Sequence, residues 1–249
     1  MKIKTTLLAM MMVLCWNANA QEVSDADKLT YRAYLQGSLT LWGKAIEAHQ
    51  KMTSTDKSKE ARFKLARAYH GYLNATMADE NEEAFEAKLE PAKELLEQLI
   101  EENPGWGEPK AVLSSVMGLE MAYSPMKGAF LGMKSNGLMG KAMKEDPDSP
   151  LVMKLYGGSK QYTPAMWGGN KKEAAEYLEK AVKGYEASGA TQYNWEYADA
   201  LANLGIVYTS LERNSDAKTT FEKAIAYEPD FYWVKASLLP QLSQQSGND

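Results

Sequence analysis

The feature that most restricts this chain is a spaced set of apolar and small residues near its C-terminus: Leu201, Leu204-Gly205, Tyr208, Ala217, Phe221, Ala224 and Pro229. Residues three and four apart share one face of a helix, so Leu201 to Tyr208 line one helix and Ala217 to Ala224 a second. Gly205 leaves room for the second helix to approach. The Phe221 ring, flanked by two alanines, fills the space between them. Pro229 ends the pair, because proline cannot continue a helix interior. A hairpin built this way keeps an apolar flank that only another hairpin can cover.

Fainter copies lie upstream. Ala92, Leu96 and Leu99 precede Glu102-Asn103-Pro104, and Met139, Ala142 and Met143 precede Glu145-Asp146-Pro147. Ala174, Leu178 and Ala181 repeat the spacing of Ala217, Phe221 and Ala224, while Leu65-Ala66 and Tyr69 match that of Leu204-Gly205 and Tyr208. This pattern resembles the tetratricopeptide repeat, with Leu201 standing where the repeat has tryptophan. The resemblance implies an all-α fold: a right-handed superhelical solenoid of antiparallel helix pairs, with a concave face that typically holds a peptide or extended segment.

Periodicity predicts about ten helices, near 25–52 with a break at Gly37, 58–78, 82–102, 108–122, 127–145, 150–162, 171–187, 192–211, 215–228 and 231–243. Asp56, Ser149, Asn170 and Ser215 suit N-caps, and Gly105, Gly157-Gly158 and Gly189 interrupt the pattern. The last helix, with Phe231, Trp233, Val234 and Leu238, suits a cover for the exposed end of the stack.

Residues 1–20 read as an export signal: Lys2 and Lys4, an apolar run from Leu7 to Trp16, and Ala18-Asn19-Ala20 as a small-residue cleavage site. The mature chain, 21–249, is then expected to be exported, periplasmic or otherwise extracytoplasmic. The apolar run falls short of the roughly twenty residues that span a bilayer, and no later segment reaches that length. Cys15 is the single cysteine, and Leu14 before it is too large for a lipoprotein signal. Cleavage after Ala20 removes it, and with it disulfides, thiolate metal sites and cysteine nucleophiles.

Losing Lys2 and Lys4 takes the formal charge from −5 to −7. An acidic surface repels nucleic acid and anionic lipid, and no basic stripe stands out against this. His49 and His70 are the two histidines, and neither has metal-ligand spacing. Phosphate loops, G-x-S-x-G and G-x-G-x-x-G are absent. No cofactor, metal or catalytic residue is expected, and the chain reads as a binding protein rather than an enzyme.

Two sets of residues are candidates for that binding. Arg67, His70 and Asn74 project from one side of a first helix, either as a solvated face or toward the expected concave wall, where Lys64 and Asn203 occupy comparable places. The segment Thr163 to Gly169 carries Met166 and Trp167, either pinning the loop to its own helix pair or anchoring a partner. The wider segment Tyr162 to Ala174 resembles the connection between paired helices in exported tetratricopeptide-like proteins. It is also similar to part of the periplasmic T-component of TRAP transporters, which implies an alternative role as a solute-binding accessory. Such a role would use a pocket lined by Met117, Met121, Met126, Met133, Met139 and Met143, residues that otherwise fill an irregular core. The expectation is an interaction module that holds a protein or peptide segment in its concave groove.

Overall fold

The computed structural model describes residues 23–246; the segment read as an export signal, 1–20, and Cys15 lie outside them. Among the described residues there are eleven α-helices and no strand. They are α1 (Asp25–Gln36), α2 (Leu39–Thr55), α3 (Lys59–Ala75), α4 (Glu82–Glu102), α5 (Gly107–Tyr123), α6 (Gly128–Glu145), α7 (Pro150–Tyr162), α8 (Lys171–Ala187), α9 (Trp195–Ser210), α10 (Asn214–Tyr227) and α11 (Leu239–Ser246). The helix starts are chemically marked. Ser24, Ser38, Ser58, Asn81, Ser149, Asn170 and Asn194 each accept a hydrogen bond from a backbone N–H of the first turn. This satisfies donors that a helix cannot pair internally.

Three sequence expectations shift. Ser58, not Asp56, caps α3; Asp56 instead accepts from the Ser58 N–H at 2.9 Å. Ser215 lies inside α10, whose cap position is Arg213. Gly157 and Gly158 lie within α7, where a methyl at Gly157 would stand 2.9 Å from Leu178 Cγ, so this glycine marks helix contact and not a break. Gly37 does end α1, in the left-handed region at φ 58°.

The helices pair as antiparallel hairpins: α1 with α2, α3 with α4, α5 with α6, α7 with α8 and α9 with α10. The first helices α3, α5, α7 and α9 pack in series along one wall. A methyl at Gly205 would lie 2.2 Å from Phe221 Cε1, so the α9–α10 contact requires the absent side chain. A π turn, Val234–Leu238, and α11 cover the last pair, burying Phe231, Val234 and Leu242.

One arrangement was not visible in the repeat pattern. Helix α1 packs on α2, α3 and α9, so the N-terminal hairpin touches both the start and the end of the wall. Its Tyr31, Ala33, Leu35 and Trp42 share one buried cluster with α8, α9 and α10, while Ile46 one turn beyond Trp42 joins the cluster of α3 to α7. The methionine row also splits. Met117 and Met139 are core, whereas Met126 and Met133 point to solvent.

Gly205→Ala should destabilise the protein by about 1–3 kcal/mol through overpacking against Phe221. Gly137→Ala, with open space around the added methyl, should stabilise by about 0.5–1 kcal/mol through helix propensity. Urea midpoints of the two variants check both signs.

Candidate functional site

The wall of first helices carries charges where a solenoid this small would ordinarily place apolar residues. Glu196, at the N-terminus of α9, is 0% exposed. Such a carboxylate is tolerated only if its oxygens meet cations or donors. Arg67 of α3 reaches Oε1 through Nε at 3.2 Å, and Lys154 of α7 donates to Oε2. Lys154 Nζ also donates to Asp199 Oδ2 at 2.7 Å. The other Asp199 oxygen accepts from Tyr34 of α1 at 3.1 Å and from Asn203 Nδ2 at 3.0 Å. Two cations and two carboxylates thus neutralise one another, with every carboxylate oxygen occupied.

Aromatic rings complete the cluster. Lys154 Nζ lies 5.0 Å above the Trp195 ring, which meets Trp42 edge-on at 5.4 Å. A methyl at Gly71 would sit 2.1 Å from Trp42 Cη2, so α3 presents bare backbone to that indole. His70 is buried beside Trp195, with Nε2 2.9 Å from Ser115 Oγ of α5. His70 Nδ1, the Tyr185 hydroxyl and Gln161 Oε1 are buried without a hydrogen-bond partner among the described residues.

Burial works against each charge, and the partners decide the outcome. Desolvation pulls the Lys154 ammonium down, but Asp199 and Glu196 outweigh it and hold its pKa above the ordinary lysine value. Burial pushes Glu196 up, yet Lys154 and Arg67 prevail and keep it below the usual carboxylate value. Desolvation is the largest influence on His70 and takes it down to about 4; His49, hydrogen-bonded to Thr30 at 3.0 Å, falls to about 4 for the same reason. Both imidazoles are neutral at pH 7. No cluster of His, Cys, Asp or Glu suited to a metal occurs among the described residues. The arrangement fastens α1, α3, α7 and α9 together.

The structure places the sequence candidates in three environments. Arg67, His70 and Asn203 belong to or adjoin the charge cluster. Lys64 turns away to Asp27 of α1 at 2.8 Å, and Asn74 faces solvent. Met166 and Trp167 stand on a separate turn between α7 and α8, 83% and 66% exposed, so they do not pin that loop by burial. Backbone bonds hold it instead: Trp167 N to Pro164 O at 2.9 Å, Gly169 N to Pro164 O at 3.2 Å and Asn170 N to Lys160 O at 2.9 Å. Gly168 takes φ 96°, and a methyl at Gly169 would lie 1.7 Å from Thr163 O. Tyr162, at the base of this turn, donates to Asn203 Oδ1 at 2.8 Å and ties it to the cluster. Sequence reasoning missed Lys154, Glu196, Asp199, Tyr34 and Trp195. The available signal was charge at positions enclosed by apolar neighbours, Leu151-Val152 and Leu155 around Lys154, and Trp195 and Tyr197-Ala198 around Glu196.

Lys154→Met should leave two buried carboxylates short of a cation and cost about 3–5 kcal/mol, read as a fall in urea midpoint. The histidines give a pH signature. Each has a folded pKa below its unfolded value of 6.5, so the unfolded chain binds more protons between 6.5 and about 4. Stability should be complete above pH 6.5 and decline as pH falls to about 4. His70→Gln should flatten that decline in melts across the window.

Residues 198–231 match the family model of the tetratricopeptide repeat. A thermophilic TPR protein of Thermus thermophilus is 17% identical, the match covering 88% of this chain and 99% of that one, with a TM-score of 0.57. The HusA haemophore from Porphyromonas gingivalis is 20% identical over 76% of this chain and 94% of its own, with a TM-score of 0.55. No curated protein matches the chain. At such identities the structural likeness is one of fold. The chain carries a tetratricopeptide repeat at residues 198–231 and folds as tetratricopeptide-repeat proteins do.

Proposed function

We propose that this protein is a non-enzymatic interaction module working outside the cytoplasm, and that it anchors a protein or peptide segment with Met166 and Trp167 at the rim of its inner wall. The fold supports an interaction role, since stacked helix pairs offer extended surface and no assembled chemistry. The observation that carries the choice of surface is a rigidly held turn that leaves a tryptophan 66% exposed. A large aromatic fixed in advance loses little freedom on binding, which is how interface anchors gain affinity.

The inner wall is a poorer candidate than the repeat pattern suggested. Arg67, Lys154, Glu196 and Asp199 are committed to one another, and α1 packs against the first and last helices of the wall. A peptide entering there would have to displace those pairs. Asn203 contributes by holding Tyr162 and hence the turn. Location outside the cytoplasm rests on the signal-like residues 1–20. The solute-accessory alternative has less behind it, because Met117 and Met139 are buried in the core while Met126 and Met133 face solvent.

A photo-crosslinking amino acid at Met166, expressed in the native host, should give a discrete protein adduct that Trp167→Ala abolishes. The same substitution should move Tm by less than about 2 °C, as for a surface position. A large loss of Tm, or an adduct indifferent to Trp167, would contradict the proposal.

A further inference from the structure

A surface helix ordinarily has one apolar face; α6 has two. Leu131, Met139 and Ala142 are buried against the rest of the fold. On the opposite side Phe130 and Met133 are 72% and 74% exposed, and Met126, in the turn that leads into the helix, is fully exposed. These three follow one another at intervals of four and three, and Gly137 and Gly140 continue the same row, both exposed. Scattered exposed apolar residues are commonplace, but a row of large ones on a single helix face marks a contact surface.

Charge identifies what the row would meet. From Pro125 to Lys144 there is no acidic residue, and Lys127, Lys134, Lys141 and Lys144 all fall in that stretch. Residues 121–172 hold eight lysines and three acids, and the acids are confined to the turn at 145–148. This lies within a chain of net charge −5. Glu120 and Glu97 of the neighbouring helices partly offset Lys127 and Lys134, at 2.9 and 3.2 Å, while both lysine side chains stay about half exposed. No ion pair engages Lys141 or Lys144 among the described residues.

A second copy docked on this face by a two-fold axis would set these lysines against their own counterparts, a repulsive arrangement. An anionic bilayer offers the opposite. Its acyl boundary accepts Met126, Phe130 and Met133, and its headgroups accept the lysines, whose long stems let the ammonium ride above the apolar row. We infer that α6 lies flat on an anionic phospholipid surface, holding the protein at the membrane through Met126, Phe130, Met133 and the flanking lysines. The whole-chain charge, which argues for repulsion from such lipid, averages this basic helix with the acidic remainder. This face of α6 is separate from the Met166–Trp167 turn between α7 and α8.

Sedimentation of the processed protein with phosphatidylcholine vesicles, with and without phosphatidylglycerol, tests it. Binding should require phosphatidylglycerol and weaken as salt shortens the range of the charges. Phe130→Ser with Met133→Ser should reduce the partition coefficient about ten-fold or more through lost apolar burial, without changing the melt. Lys134→Gln with Lys141→Gln should weaken binding and flatten its salt dependence. Trp167→Ala should leave binding intact, which keeps this result separate from the fate of the turn as a protein anchor. No binding to anionic vesicles, equal binding to neutral ones, or unchanged binding by the Phe130/Met133 variant would overturn the inference. So would a dimer seen by light scattering that the same variant abolishes while vesicle binding is missing.

Discussion

The fully buried carboxylate of Glu196 sets the form of this molecule. An ionised group without water must find its counter-charges within the fold. Its counter-charges come from α3, 129 positions earlier in the chain, and from α7. The series of first helices must therefore curve until its beginning reaches its end. Asp199, one helical turn along, shares Lys154 and receives the Tyr34 hydroxyl, which places α1 beside α9. Geometry follows from charge balance here: two cations and two carboxylates close the wall, and the rings of Trp42 and Trp195 pack against the closure.

That closure bears on function. In an open solenoid the concave side is the natural place for a partner, but here Arg67, Lys154, Glu196 and Asp199 of the wall are paired with one another. Exposed apolar side chains stand instead on the α7–α8 turn, tied to the wall through Tyr162 and Asn203, and along the outer face of α6. The turn presents an exposed tryptophan held in place by backbone hydrogen bonds, while α6 presents a cationic fringe around an apolar row. A chain that is acidic overall but basic through its middle has its two ends and its centre suited to different surroundings.

The helices were legible because their signals are local. Capping serines and asparagines sit within three residues of the N–H they satisfy, and Gly205 and Phe221 lie within one repeat. The cluster was not legible, since Arg67 and Glu196 are linked only through the accumulated curvature of four helix pairs. The spacing around Arg67, His70 and Asn203 carries no sign of their partners, and Lys64 on the same helix as Arg67 is drawn off to Asp27 by a hairpin whose return to α9 the repeat spacing does not encode. The methionine row misled for a related reason. Met117 and Met139 share helical spacing with Met126 and Met133, but only packing decides which face of α6 is core, and both of its faces are apolar.

Helix α1 packs on both α3 and α9, which makes it part of the wall and couples its unfolding to theirs. Hydrogen exchange followed by mass spectrometry, on peptides covering Asp25–Gln36 and Trp195–Ser210, tests it most directly. Both segments should exchange only in the slow, global opening regime and lose protection together. Exchange of the Asp25–Gln36 amides within seconds, with Trp195–Ser210 still protected, would contradict it.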